Sequence, residues 1–190
     1  MIEKQRKIEE LYSTYYLKHK KEDKIPLFGM VFGTELLFVG QNPGNPNVVA
    51  TDLHRKIFEN FASLDYKKQQ ETFIFSWKQS TFVKFIANVC SKLELDLYKD
   101  AAVTNFVKYW TPNNQRPQAT EDDQKLLACE IEIIHPKLVI FLSKFAFNNF
   151  EYRNRVTVKC LSLDHPASRY YSEIYAQEVA AQIRRKINGS

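Results

Sequence analysis

Apolar residues in this chain gather in short runs separated by amphipathic stretches. Leu36–Val39, Ala101–Val107, Lys137–Leu142 and Val156–Leu163 are strand-like runs. Leu36–Val39 is a continuous apolar run, the mark of a strand buried on both faces, and Lys137–Leu142 reads the same way. Between them the period changes to that of a helix. Ser80–Leu93 places Phe82, Phe85, Ile86 and Val89 on one face, and Thr120–Ile134 does the same with Leu126, Leu127, Ile131 and Ile134. Thr120 followed by Asp123 has the spacing of a capping box, with Asp in place of the usual Glu or Gln. Helices are also predicted over Thr51–Phe61, near Ser143–Phe150 and from Ser172 to Ile187. At the N-terminus, Met1–Lys24 carries Ile8, Leu11, Tyr12, Tyr15 and Tyr16 at helical spacing among Lys and Glu. Ile25–Phe32 reads as a short extended piece broken by Pro26 and Gly29. Strands alternating with helices predict an α/β fold: three layers, α/β/α, around a mainly parallel four-stranded central sheet. No repeat, low-complexity tract or linker interrupts it, so residues 1–190 are expected to form a single domain.

Composition narrows the class. With 190 residues, 44% hydrophobic and 26% charged, the chain has the make-up of a globular protein able to bury a core. A net charge of +5 permits contact with polyanions without requiring it. Three well-separated cysteines, Cys90, Cys129 and Cys160, form no C-x-x-C pair, which argues against a zinc knuckle or disulfide framework and fits a reducing cytoplasm. No stretch approaches a membrane span, and the N-terminus lacks the apolar core of a signal peptide.

Three polar segments lie at the ends of the predicted strands, where an open α/β sheet binds its ligands. Gly40–Gly44 reads GQNPG and follows the first run directly. It is either a plain Asn-Pro-Gly turn or a turn whose glycines admit a ligand and whose Asn42 amide meets it. Thr104-Asn105 interrupts the second run, as a satisfied polar pair in the core or as an amide aimed into a pocket. His165-Pro166-Ala167-Ser168 follows the fourth. Among the four histidines, His165 alone follows a strand end and precedes a proline, which biases it toward an extended conformation. It is a structural histidine or a donor in the site. An amide, a histidine and exposed backbone N–H groups together suit a polar heterocycle.

In this order the three motifs resemble the uracil-DNA glycosylase superfamily, over about Leu36 to Ser168. GQNPG matches the family's first motif and HPAS its last, usually H-P-S. The stretch from Thr104 to Ser143 is similar to the thermophile-type iron–sulfur (family-four) members. The resemblance implies a DNA-repair hydrolase that takes a flipped base into a snug pocket. His165 would stabilise negative charge developing on uracil O2. Asn105 would pair with the O4 and N3 edge, and Asn42 would hold the attacking water. Gly40 and Gln41 would offer backbone contacts to the base. Phe58 would stack on it, with His54 and Phe61 as alternatives. The loop Ser168-Arg169-Tyr170-Tyr171 would enter DNA, and Lys108 and Arg116 would contact phosphate unless they are ordinary solvated cations.

Two departures bear on the chemistry. Tyr109 stands where the iron–sulfur members carry Cys, so no metal or other cofactor is expected and the cysteines are read as reduced core residues. Ala167 replaces the usual Ser. The leading expectation is a monomeric, cytoplasmic, monofunctional glycosylase acting on uracil or a related deaminated or mismatched base in DNA. The alternatives are a non-catalytic or repurposed member that binds nucleobase or nucleic acid, and an unrelated α/β enzyme for small polar ligands.

Overall fold

The structure, a computed structural model, describes residues 2–19, 29–41, 80–108 and 117–189. Among them are helix α1 (Ile2–His19), strands β1 (Met30–Val31) and β2 (Leu36–Gly40), and helices α2 (Thr81–Lys92) and α3 (Leu97–Asp100). There follow β3 (Ala101–Asn105), α4 (Glu121–Ile134), β4 (Leu138–Phe141), α5 (Lys144–Asn149), β5 (Cys160–Ser162) and α6 (Glu173–Asn188). Two 3₁₀ turns, Glu151–Asn154 and Pro166–Arg169, lie in the last third. The helix expected over Thr51–Phe61 falls outside the described residues.

Among the described residues the sheet has five strands, in the order β1-β3-β2-β4-β5. The four expected strands are parallel to one another, and the fifth, β1, pairs antiparallel with β3 at one edge. The extra strand is short. Met30–Val31 is followed by hydrogen bonds from the Phe32 and Gly33 amides to the Ala101 carbonyl, so the chain leaves the ladder after two residues. Strand β5 is also shorter than the run Val156–Leu163, holding Cys160–Ser162 alone.

Alternation along each strand divides the core between two faces. Leu37, Val39, Ala102, Val139 and Phe141 face α1, α4 and α5, whereas Leu36, Phe38, Ala101, Val103, Leu138 and Ile140 face α2 and α6. This is the three-layer arrangement expected of buried parallel strands. Helix α4 begins at the capping box foreseen: Thr120 Oγ1 accepts from the Asp123 amide at 3.1 Å, and Asp123 Oδ2 accepts from the Thr120 amide at 2.9 Å. The cysteines are free, but only Cys90 is a core residue; Cys129 and Cys160 are half-buried. Burial pushes the Cys90 thiol up to about 12, which makes it inert. No helix among the described residues is long and apolar enough to cross a membrane.

Candidate active site

The strand order reverses at β2, which pairs with β3 on one side and β4 on the other. The carboxyl ends of β2 and β4 therefore border the crevice where open α/β sheets bind ligands. Beyond β2 and β3 the ladder continues for two more bonds, from the Phe106 amide to the Gly40 carbonyl and from the Val107 amide to the Gln41 carbonyl, each 2.9 Å. These bonds hold the two motifs side by side.

Gly40 and Asn105 are register partners, and both lie on the sheet face that meets α2. A Cβ added at Gly40 would collide with Asn105 Oδ1 and come within 3.3 Å of Phe82 Cζ. Glycine is needed there for space. Asn105 is 5% exposed, and its carboxamide makes no hydrogen bond with any described residue. Most buried polar groups in folded proteins are paired, so a buried amide left open calls for an explanation.

The Phe82 ring lies nearly parallel to the His165 imidazole, with centroids 5.9 Å apart and planes 16° apart. His165 itself is extended (φ −63°, ψ 131°), as its following proline requires, and it caps the 3₁₀ turn Pro166–Arg169. The Ala167 amide donates to His165 Nδ1 at 3.2 Å. With Nδ1 occupied as an acceptor, the neutral ring carries its proton on Nε2. Burial lowers the His165 pKa below its ordinary 6.5, which favours that neutral form. The Ser168 hydroxyl donates to the His165 carbonyl at 2.7 Å, so the motif is braced from within.

Around this core, Ser143 Oγ donates to Gln41 Oε1 at 3.1 Å, tying the first motif to the start of α5. Asp164 accepts from Lys144 at 2.9 Å and from Arg169 at 3.3 Å; those two cations, in that order, hold its carboxyl below the usual range. Tyr175 donates to the Asp164 carbonyl at 2.8 Å, and burial, reinforced by the Asp164 charge, pushes its hydroxyl up to about 12, so it stays a donor. Ser168, Arg169 and Tyr170 are exposed, Tyr170 to 92%. Tyr170 and Tyr171 both adopt left-handed backbone, at φ 53° and 51°. Such strain costs L-residues roughly 1–2 kcal/mol each, so a pair of them marks a loop held in shape by its surroundings.

The structure thus brings together Gly40, Gln41, Asn105 and His165, with Ser168, Arg169 and Tyr170 beside them. Asn42, Phe58 and Arg116 lie outside the described residues. Lys108 requires a correction. Instead of a surface cation it is 0% exposed and forms a 2.7 Å ion pair with Glu130, on the opposite face of the sheet from Asn105, where no phosphate can reach it. In the sequence Phe82 shows only as part of the apolar stripe of α2. Its place in the helix's first turn, next to the sheet's carboxyl edge, becomes visible only once α2 and the last motif are packed together.

A family model described as the uracil DNA glycosylase superfamily matches residues 28–184 of the chain. A search of curated proteins found no match.

Proposed function

The chain belongs to the uracil-DNA glycosylase superfamily, and we propose that it hydrolyses the N-glycosidic bond of uracil, or of a related deaminated or mismatched base, in DNA. The observation that carries this reading is the buried Asn105 amide, unbonded by any described residue, on a face shared with Phe82, whose ring stacks on a neutral, Nε2-protonated His165. A carboxamide has one acceptor and two donors, and the uracil edge offers the complement: O4 accepts and N3–H donates. Cytosine presents the reverse pattern at the same two atoms and would leave the amide mismatched. A base extruded from the helix would give the Asn105 amide the hydrogen bonds that no described residue supplies.

The reaction breaks the C1′–N1 bond with its electron pair passing to the base. Water adds to C1′, and its proton ends on the uracil anion or in solvent. His165 Nε2–H donates to O2, where the negative charge gathers. Asn42 positions the water. As an amide it cannot act as a general base, so the chemistry is expected to be slow beside that of members with a carboxylate there. The exposed Tyr170 and Arg169 are the wedge and phosphate contact of the same reading.

A single-turnover assay tests it, using a labelled oligonucleotide with one uracil opposite G, opposite A, or unpaired. Alkali-labile sites in the wild type that vanish with His165→Ala are the expected result. DNA binding without cleavage in every context would replace this reading by that of a repurposed nucleic-acid-binding member.

A further inference from the structure

A buried polar cluster lies across the sheet from the site. Lys108 Nζ donates to Glu130 Oε2 at 2.7 Å, to Glu130 Oε1 at 2.9 Å, to Thr104 Oγ1 at 2.7 Å and to the Asn105 carbonyl at 2.6 Å. Thr104 Oγ1 in turn donates to Glu130 Oε1 at 3.0 Å, and the Tyr12 hydroxyl donates to the same oxygen at 2.7 Å. Glu130, Lys108, Thr104 and Tyr12 are each 2% exposed or less. Gly29 closes the cluster from the edge: a Cβ there would fall 2.7 Å from Thr104 Oγ1.

The cluster meets the site through one peptide. Thr104 and Asn105 are adjacent in β3, so their side chains leave opposite faces of the sheet. Thr104 enters the cluster, and Asn105 faces Gly40 and Phe82. The Asn105 carbonyl is held from the cluster side by an ammonium whose remaining bonds go to Glu130 and Thr104. Glu130 is held in its turn by a hydroxyl from α1, a helix that precedes the family match beginning at residue 28.

We propose that α1 is a positioning element of the site, acting from Tyr12 through Glu130 and Lys108 on the Asn105 peptide, so that the base-reading amide is set by a helix outside the family core. Tyr12, Glu130 and Lys108 are positioning residues and touch no substrate. The role assigned to them rests on Asn105 being the base reader. A lone amide on an unanchored strand end would sample several orientations, and misplacement of a reading group by a fraction of an ångström is costly to rate.

The test uses the full-length ¹⁵N-labelled chain. The Asn105 side-chain amide is assigned by its absence from Asn105→Ala. Tyr12→Phe removes one hydroxyl at constant shape; Lys108→Met removes the bridging cation and is the harsher variant, so if it does not fold Tyr12→Phe decides alone. In Tyr12→Phe the Asn105 side-chain amide and the backbone amides of Thr104 and Phe106 should shift or broaden. Uracil excision should fall by roughly tenfold, with affinity for undamaged DNA unchanged. A lowered melting temperature with the Asn105 signals unmoved, or unmoved signals with a wild-type rate, would overturn the proposal and leave α1 as packing. Adding free uracil separates the two ideas. If the wild-type Asn105 signals ignore uracil and no uracil is excised, the base-reader reading fails, while the response of those signals to Tyr12→Phe still reports whether α1 sets the amide.

Discussion

Gly40 lacks a side chain because Asn105 occupies the space one would need. Replacing it by Ala puts a methyl group against Asn105 Oδ1 and close to the Phe82 ring, so the amide, the ring, or both must move. Gly40→Ala is expected to leave a folded protein with uracil excision reduced on the order of 10²-fold, as follows from displacing a reading group. A single-turnover rate measured beside a thermal melt separates this from unfolding. His165 makes a second prediction at the same scale. Its pKa lies below 6.5, so above that pH the ring is neutral in folded and unfolded chains alike and its titration does not alter stability. As pH falls through 6.5 the unfolded chain binds a proton first, and this residue's contribution to stability declines until the folded pKa is passed. Protonation also places a donor on Nδ1 facing the Ala167 amide, which breaks the cap and turns the ring. The acid limb of the rate profile should therefore have its midpoint below 6.5, and a midpoint above that value would show that a group other than this imidazole governs the limb.

Among the elements, α4 is the one whose start is most firmly encoded. Thr120 and Asp123 satisfy each other's backbone amides, and Asp123 also accepts from the Tyr15 hydroxyl at 3.1 Å and the Lys108 amide at 3.2 Å. Thr120→Ala should lower stability by about 1 kcal/mol, seen as a lower urea midpoint with unchanged slope. Capping, buried strands and the parallel alternation were all legible in the sequence, because each is written in neighbouring residues. Edge strand β1 was legible only as part of an extended piece, Ile25–Phe32, and its pairing with β3 was not. Two residues pairing with a strand some seventy positions away leave no periodic trace. The burial of Lys108 is hidden for the same reason: a lysine after an apolar strand looks like a surface cation until its partner is known. The partner did leave a signal. Glu130 lies within the apolar stripe of α4, between Leu127 and Ile134, and Tyr12 lies within that of α1. An acid and a hydroxyl on two buried faces imply a buried base between them, but only once the two helices are known to pack together.

For the whole molecule, the Lys108–Glu130 pair joins the end of β3 to α4 on one face of the sheet: cutting it affects stability and the site in different ways. Both side chains are 0% exposed, and each would be a bare buried charge without the other. Lys108→Met alone strands the Glu130 carboxylate, and the expected loss is roughly 3–5 kcal/mol. Lys108→Met combined with Glu130→Leu removes both charges and restores apolar packing, so the double variant should recover most of that loss, or even exceed the wild type. A chemical-denaturation cycle over the four proteins measures the recovery. Excision should not follow it. The double variant still lacks the ammonium that holds the Asn105 carbonyl, and its Tyr12 hydroxyl has lost Glu130 as acceptor. A protein as stable as the wild type yet slow on uracil would mean that the ion pair serves to hold the amide in place. Recovery of stability and rate together would mean that the sheet fixes Asn105 without it.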